Sequence, residues 1–185
     1  MRLLTATAAR EMFLKIGMTL GPWNQISDIA EDAELKPLWF NRRCPSEARS
    51  LYVFAHHVVK WLPQGEWKVF HIDNSTSLRP DETFLLGRVL GFEGELLNLQ
   101  ANSSLAFDSI GSNSVAEERL AAVLTYFFLL FEQHAHLVSA GSQDGEHLSI
   151  QDGFVYFQAR TKEALERAKS TLDAFDRAPL LMPSE

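Results

Sequence analysis

Apolar residues recur at three- and four-residue spacing in two clear stretches of this chain. Over residues 46–62, Ala48, Leu51, Tyr52, Ala55, Val58, Val59 and Leu62 fall on one helical stripe, and Pro63-Gln64-Gly65 ends it. Arg49, His56, His57 and Lys60 fall toward the other side and read as surface. Over residues 161–176, Leu165, Ala168, Leu172 and Phe175 make a second stripe behind a Thr161 cap, with Glu163 and Arg167 spaced as a favourable pair. A helix is also predicted over 3–18, ended by Gly17 and Gly21-Pro22. A short helix over 80–90 starts at Pro80 and stops at Gly91. Residues 114–131 open on a capping-box pattern, Ser114-Val115-Ala116-Glu117, and continue apolar nearly all round, which predicts a helix at the centre of the domain.

Alternating patterns predict the strands. Trp67, Val69, Phe70 and Ile72 mark one over 66–73. A hairpin is expected across 95–110, turning near Ala101-Asn102-Ser103-Ser104. Three successive strands follow over 134–140, 146–151 and 154–160, with turns at 141–145 and at Asp152-Gly153. Residues 22–43 mix acids with Leu38-Trp39-Phe40 and predict a short helix or an irregular segment. Strands clustered as hairpins among helices indicate the α+β class, an antiparallel sheet of about five strands with helices packed on it. No repeat or linker divides the chain, so its 185 residues form one domain with a tail over 179–185.

Composition narrows the setting. Cys44 is the only cysteine, so no internal disulfide forms, as suits a reducing compartment. The longest apolar run, 120–131, falls short of the roughly 20 residues of a membrane span and is flanked by charges, which predicts a cytoplasmic protein with no membrane contact. The formal net charge is −7, which disfavours direct binding of nucleic acid. That charge is unevenly spread. Between residues 89 and 159, Glu93, Glu95, Asp108, Glu117, Glu118, Glu132, Asp144, Glu146 and Asp152 face one base, Arg119, a formal −8.

Catalytic patterns are sparse. His134 and His136 lie two apart on a predicted strand and share a face, and His147 on the next strand could come near. Three such imidazoles would suit zinc, but no HxxxH, HExxH or CxxC spacing accompanies them, so neither a metal nor another cofactor is assigned. Cys44 precedes a helix start, where a thiolate is favoured, though a lone cysteine is more often a packing residue. No Gly-x-Ser-x-Gly elbow occurs.

The segment Trp67-Lys68-Val69-Phe70-His71-Ile72-Asp73-Asn74-Ser75, the apolar helix over 120–131 and Ile150-Gln151-Asp152-Gly153-Phe154-Val155-Tyr156-Phe157 have the general character of a family. In that character the chain resembles the immunity proteins of bacterial polymorphic-toxin and contact-dependent inhibition systems. The resemblance implies a compact, acidic, non-enzymatic protein. The expected partner is a cognate basic toxin domain, a nuclease, met by an acidic surface. Asp144, Glu146, Asp152, Glu93 and Glu95 are the expected contact residues. The competing readings are a small metal-dependent hydrolase built on His134, His136 and nearby carboxylates, and a structural adaptor subunit.

Overall fold

In the computed structural model, the described residues are 1–20, 26–28, 38–73, 76, 79–89, 101–108 and 114–177. The hydrophobic stripes and alternations resolve into five helices and nine strands among them. The strands are β1 (Arg2–Leu4), β2 (Met18–Leu20), β3 (Ile26–Asp28), β4 (Leu38–Arg43), β5 (Trp67–Ile72), β6 (Ser104–Asp108), β7 (Ala135–Ser139), β8 (His147–Gln151) and β9 (Phe154–Ala159). The helices are α1 (Ala6–Lys15), α2 (Ala48–Trp61), α3 (Pro80–Val89), α4 (Ser114–Leu130) and α5 (Lys162–Arg177).

Seven strands form one sheet in the order β1-β6-β5-β7-β8-β9-β4, every neighbouring pair antiparallel. β2 and β3 pair separately. The class is α+β, as the alternation predicts, with two more strands than expected. The additions are the two edges. β1 occupies the start of the helix predicted over 3–18. Thr5 has extended backbone, and its hydroxyl accepts the Ala8 N–H at 3.2 Å, so the helix begins only at Ala6. β4 replaces the short helix or irregular segment predicted over 22–43. Its partner, β9, lies more than a hundred residues away, and Phe40 stacks on Phe157 at 4.9 Å. The first arm of the hairpin predicted across 95–110 and the tail lie outside the described residues, as do Asn74, Ser75 and Ser77, which follow β5.

Alternation along the strands buries both faces. Phe70, Ile72, Leu105, Phe107, Leu137, Leu148, Val155 and Phe157 meet α2, α4 and α5 in the main core. On the opposite face Val69, Ala106 and Val138 meet Met12, Phe13 and Ile16 of α1, with Met18 of β2. α4 is less central than its composition predicts, because Val115 and Leu130 are exposed. Its expected capping box does not form as read. The Glu117 carboxylate instead accepts from the Met1 ammonium at 2.6 Å and from the Asp108 N–H. Arg167 likewise leaves Glu163 and reaches Glu146 at 2.7 Å. Both exchanges take a charged side chain from a local partner to a distant one, which helix periodicity cannot register.

Two loops at one end of the sheet are clasped backbone to backbone. A Cβ on Gly65 would stand 2.4 Å from the Gly141 nitrogen, and one on Gly141 would stand 2.1 Å from the Gln64 oxygen. The Ser139 hydroxyl donates to the Pro63 carbonyl at 2.7 Å and receives the Gly141 N–H at 3.2 Å. Neither glycine has a flexible neighbour that could yield. Gly65→Ala and Gly141→Ala are each expected to destabilise the fold by about 1–3 kcal/mol, read from denaturant midpoints. An unchanged midpoint in both would show that the loops do not meet.

Candidate functional site

Four adjacent strands bring histidines and hydroxyls to one face of the sheet, beside α1. His71 on β5 and His136 on β7 are register partners, their rings nearly parallel at 6.3 Å. His147 on β8 lies 5.6 Å from His136. His71 Nδ1 meets Ser104 Oγ at 2.8 Å, and Phe13 of α1 closes over the His71 ring. His136 Nε2 meets Asp73 Oδ2 at 3.1 Å, and its Nδ1 meets Ser149 Oγ at 3.0 Å. Ser149 also meets His147 Nε2 at 2.9 Å and Gln158 Nε2 at 3.4 Å.

Asp73–His136–Ser149 has the residue types and spacing of a nucleophilic relay. The surroundings argue against that use. Ser149 sits within a strand at 8% exposure, and its hydroxyl is engaged by His136, His147 and Gln158. With the O–H proton given to His136 Nδ1, whose ring donates from Nε2 to Asp73, and with His147 Nε2 and Gln158 Nε2 as donors, the one proton and two lone pairs are all committed. No lone pair remains to attack an incoming carbonyl, so the array reads as a saturated polar network that holds three strands in register.

His134 does not join His136. Its Nε2 turns to Asp152 Oδ1 at 3.0 Å in the β8–β9 turn, whereas His136 faces Asp73. Among the described residues no group of three or more His, Cys, Asp or Glu is placed to hold a metal ion. Cys44 is half-buried against the main core, and burial pushes its thiol up to about 12, the reverse of an activated thiolate. A cleft lined by Glu82, Leu86, Phe127, Phe128, Phe131 and Gln133 holds about 10 Å³, the space of one water. Sequence reading missed His71, Asp73 and Ser149. The period-two pattern puts His71 and Ser149 on that face once the strand register is known, but their partners come from other strands.

Of the five expected contact residues, the three described ones do not gather at one place. Glu93 and Glu95 lie outside the described residues. Glu146 is 2% exposed, takes Arg167 with one oxygen and receives the Asp144 N–H with the other. Burial still pushes its carboxyl above the usual range, with Arg167 opposing. Asp144, half-buried, stays in that β7–β8 loop. Asp152 is at the far end of the strands, its side chain 70% exposed.

Beside Asp152 stands Glu132, also exposed, whose Oε1 would lie 3.6 Å from a Cβ placed on Gly153. Glu132 closes α4. It is left-handed, with φ 52°, while Gln133 N–H returns to the Phe128 carbonyl and Glu132 N–H to Leu129. This is the helix-ending position that normally takes glycine. A negative side chain there also meets the negative end of the helix dipole. Asp152, with φ 50°, precedes Gly153 in the two-residue hairpin turn that favours Asp-Gly. Glu132 is therefore doubly disfavoured by its backbone and its charge, whereas Asp152 is ordinary.

No protein-family model matches this chain, and no curated protein or solved structure is similar to it.

On α2, His56 and His57 are half-buried rather than fully surface, edged against Tyr52 at 4.8 Å and Phe175 at 5.7 Å respectively. Burial, aided by Lys60, lowers the pKa of both. A lowered imidazole pKa means that the unfolded chain takes up protons first as pH falls. The stability these residues contribute is full above the ordinary histidine value of about 6.5 and is lost as pH drops through their lowered values. The urea midpoint is expected to fall between about pH 7.5 and about pH 5.5, and H56Q/H57Q to lessen that fall. A double variant with the same pH slope as the parent would remove these two histidines as the cause.

Proposed function

We propose that this chain is a cytoplasmic, non-enzymatic binding protein of the immunity type, which neutralises a basic toxin domain through the acidic corner formed by Glu132 and Asp152. The observation that carries the reading is Glu132. A carboxylate held left-handed at a helix C-terminus costs about 1 kcal/mol relative to glycine, and residues kept in such conformations cluster at sites of function. Its exposure beside Asp152 makes a local negative surface that would steer a basic partner. Arg43, at the same end of β4, opposite Phe154, would limit the field to the α4 side of the corner. Among the described residues no helix is long and apolar enough to cross a membrane.

A second reading is a serine hydrolase on Asp73–His136–Ser149, and the saturated Ser149 hydroxyl weighs against it. The two separate cleanly. Glu132→Gly is expected to raise the unfolding free energy by about 1 kcal/mol. The same variant, and Glu132→Lys/Asp152→Lys more strongly, is expected to slow association with a cognate basic toxin domain, most at low salt. A stabilised variant with unchanged, salt-insensitive association would refute the acidic corner. Labelling of Ser149 by a fluorophosphonate would favour the hydrolase. Co-purification of a different stable partner would favour an adaptor subunit.

A further inference from the structure

β4 pairs only with β9 among the described residues and forms one edge of the sheet. Five of its six residues are exposed, Trp39 at 61%. The Cys44 N–H donates inward to the Gly153 carbonyl at 3.0 Å. Backbone groups alternate in direction along a strand, so Phe40 and Arg42 also turn theirs inward. Those of Trp39, Asn41 and Arg43 then point out from the edge. The side chains divide between the faces. Phe40 and Arg42 lie on the α5 face, where Arg42 Nη2 binds both Asp176 oxygens at 2.8 and 2.9 Å and Lys169 stands 5.9 Å over the Phe40 ring. Trp39 lies on the opposite face against Tyr156 at 6.0 Å, and Asn41 and Arg43 share that face by alternation.

We propose that β4 is the contact edge of a two-fold homodimer, in which two copies of β4 pair antiparallel with Asn41 on the axis. That register places Asn41 opposite Asn41 of the second copy, and Trp39 opposite Arg43 of the second copy on both sides of the axis. Each of these three pairs exchanges two outward backbone bonds, about six in all. Each exposed indole receives a guanidinium across the strands, a cation–π pairing that one β4 cannot make with itself. Arg42 does not oppose the contact, because Asp176 already neutralises it on the α5 face. Trp39 and Arg43, two residues either side of Asn41 on one face, are self-complementary only in this register. A shift of two residues along the strands puts Phe40 on the axis and leaves Trp39 facing Asn41. An unpaired edge carrying an exposed indole is otherwise a liability that proteins guard against, and the alternative role of the arginines is such a guard.

The test is the mass of the full chain in solution by light scattering from micromolar to hundred-micromolar concentration, together with directed cross-linking in a Cys44→Ser background. The mass is expected to double, and Asn41→Pro, which removes the axial N–H, to return it to that of one chain. Under mild oxidation, Asn41→Cys is expected to give a covalent dimer, because a hydrogen-bonded antiparallel pair holds its Cα atoms at about 5.5 Å, within disulfide reach. Trp39→Cys is expected to give none, since it faces position 43. Circular dichroism confirms that each variant is folded. A chain that stays monomeric throughout overturns the proposal, as does equal cross-linking at both positions. So does a dimer in which folded Asn41→Cys fails to link, or an edge that pairs only with an added peptide strand from another protein.

Discussion

Burial of β5 on both faces is the constraint from which the rest of the architecture follows. Phe70 and Ile72 belong to the main core, and Val69 and His71 face α1, so no side of this strand reaches water. A strand in that position must have helices above and below it and strands on both sides. β6 and β7 supply the sides, α2 and α4 one face, and α1 the other. The polar residues of that second face, buried His71, Ser104, His147 and Ser149 and half-buried His136, are there because the pleat leaves them little exit. Burying a polar group without a partner costs several times what a formed hydrogen bond returns, and the cross-strand network among them is the answer.

The same logic separates structural carboxylates from available ones. Glu117 and Glu146 are buried and committed, one to Asp108 N–H and the Met1 ammonium, the other to Arg167 and Asp144 N–H. Asp73 is committed to His136. Among the described residues the acidic window is therefore not one acidic face. Asp108 and Glu117 lie by β6 and the start of α4, Asp144 and Glu146 at one end of strands β7 to β9, and Glu132 and Asp152 at the other end, where both are exposed. Glu132 and Asp152 are a pair of left-handed residues, one at a helix end and one in a hairpin turn, and Asp152 also meets His134.

The hairpins β7–β8–β9 and the helices α2 and α5 were legible because their signals are local. Strict alternation, Asp-Gly in the turn, a three-four stripe and a Thr161 hydroxyl receiving the Ala164 N–H at 3.3 Å all lie within a few residues of one another. The edges were not legible. β1 has only three residues before a helix cap, and β4 ends in Asn-Arg-Arg, the polar composition that suits an edge and hides a strand. In the candidate site, the histidine spacing was visible, but the divergence of His134 and His136 was not. Which carboxylate each ring meets depends on whether β5 or the β8–β9 turn lies beside it.

By itself the sequence determined the fold class, most interior elements and the concentration of acid between residues 89 and 159. These follow from periodicity and composition, which act over a few residues or need no geometry at all. Only the tertiary structure decided the strand order, the sheet edges, the saturation of Ser149 and which carboxylates stay in water. Each of those depends on contacts between residues far apart in the chain. Their partners are chosen by the space left when both faces of the sheet are buried, a property that no local pattern carries.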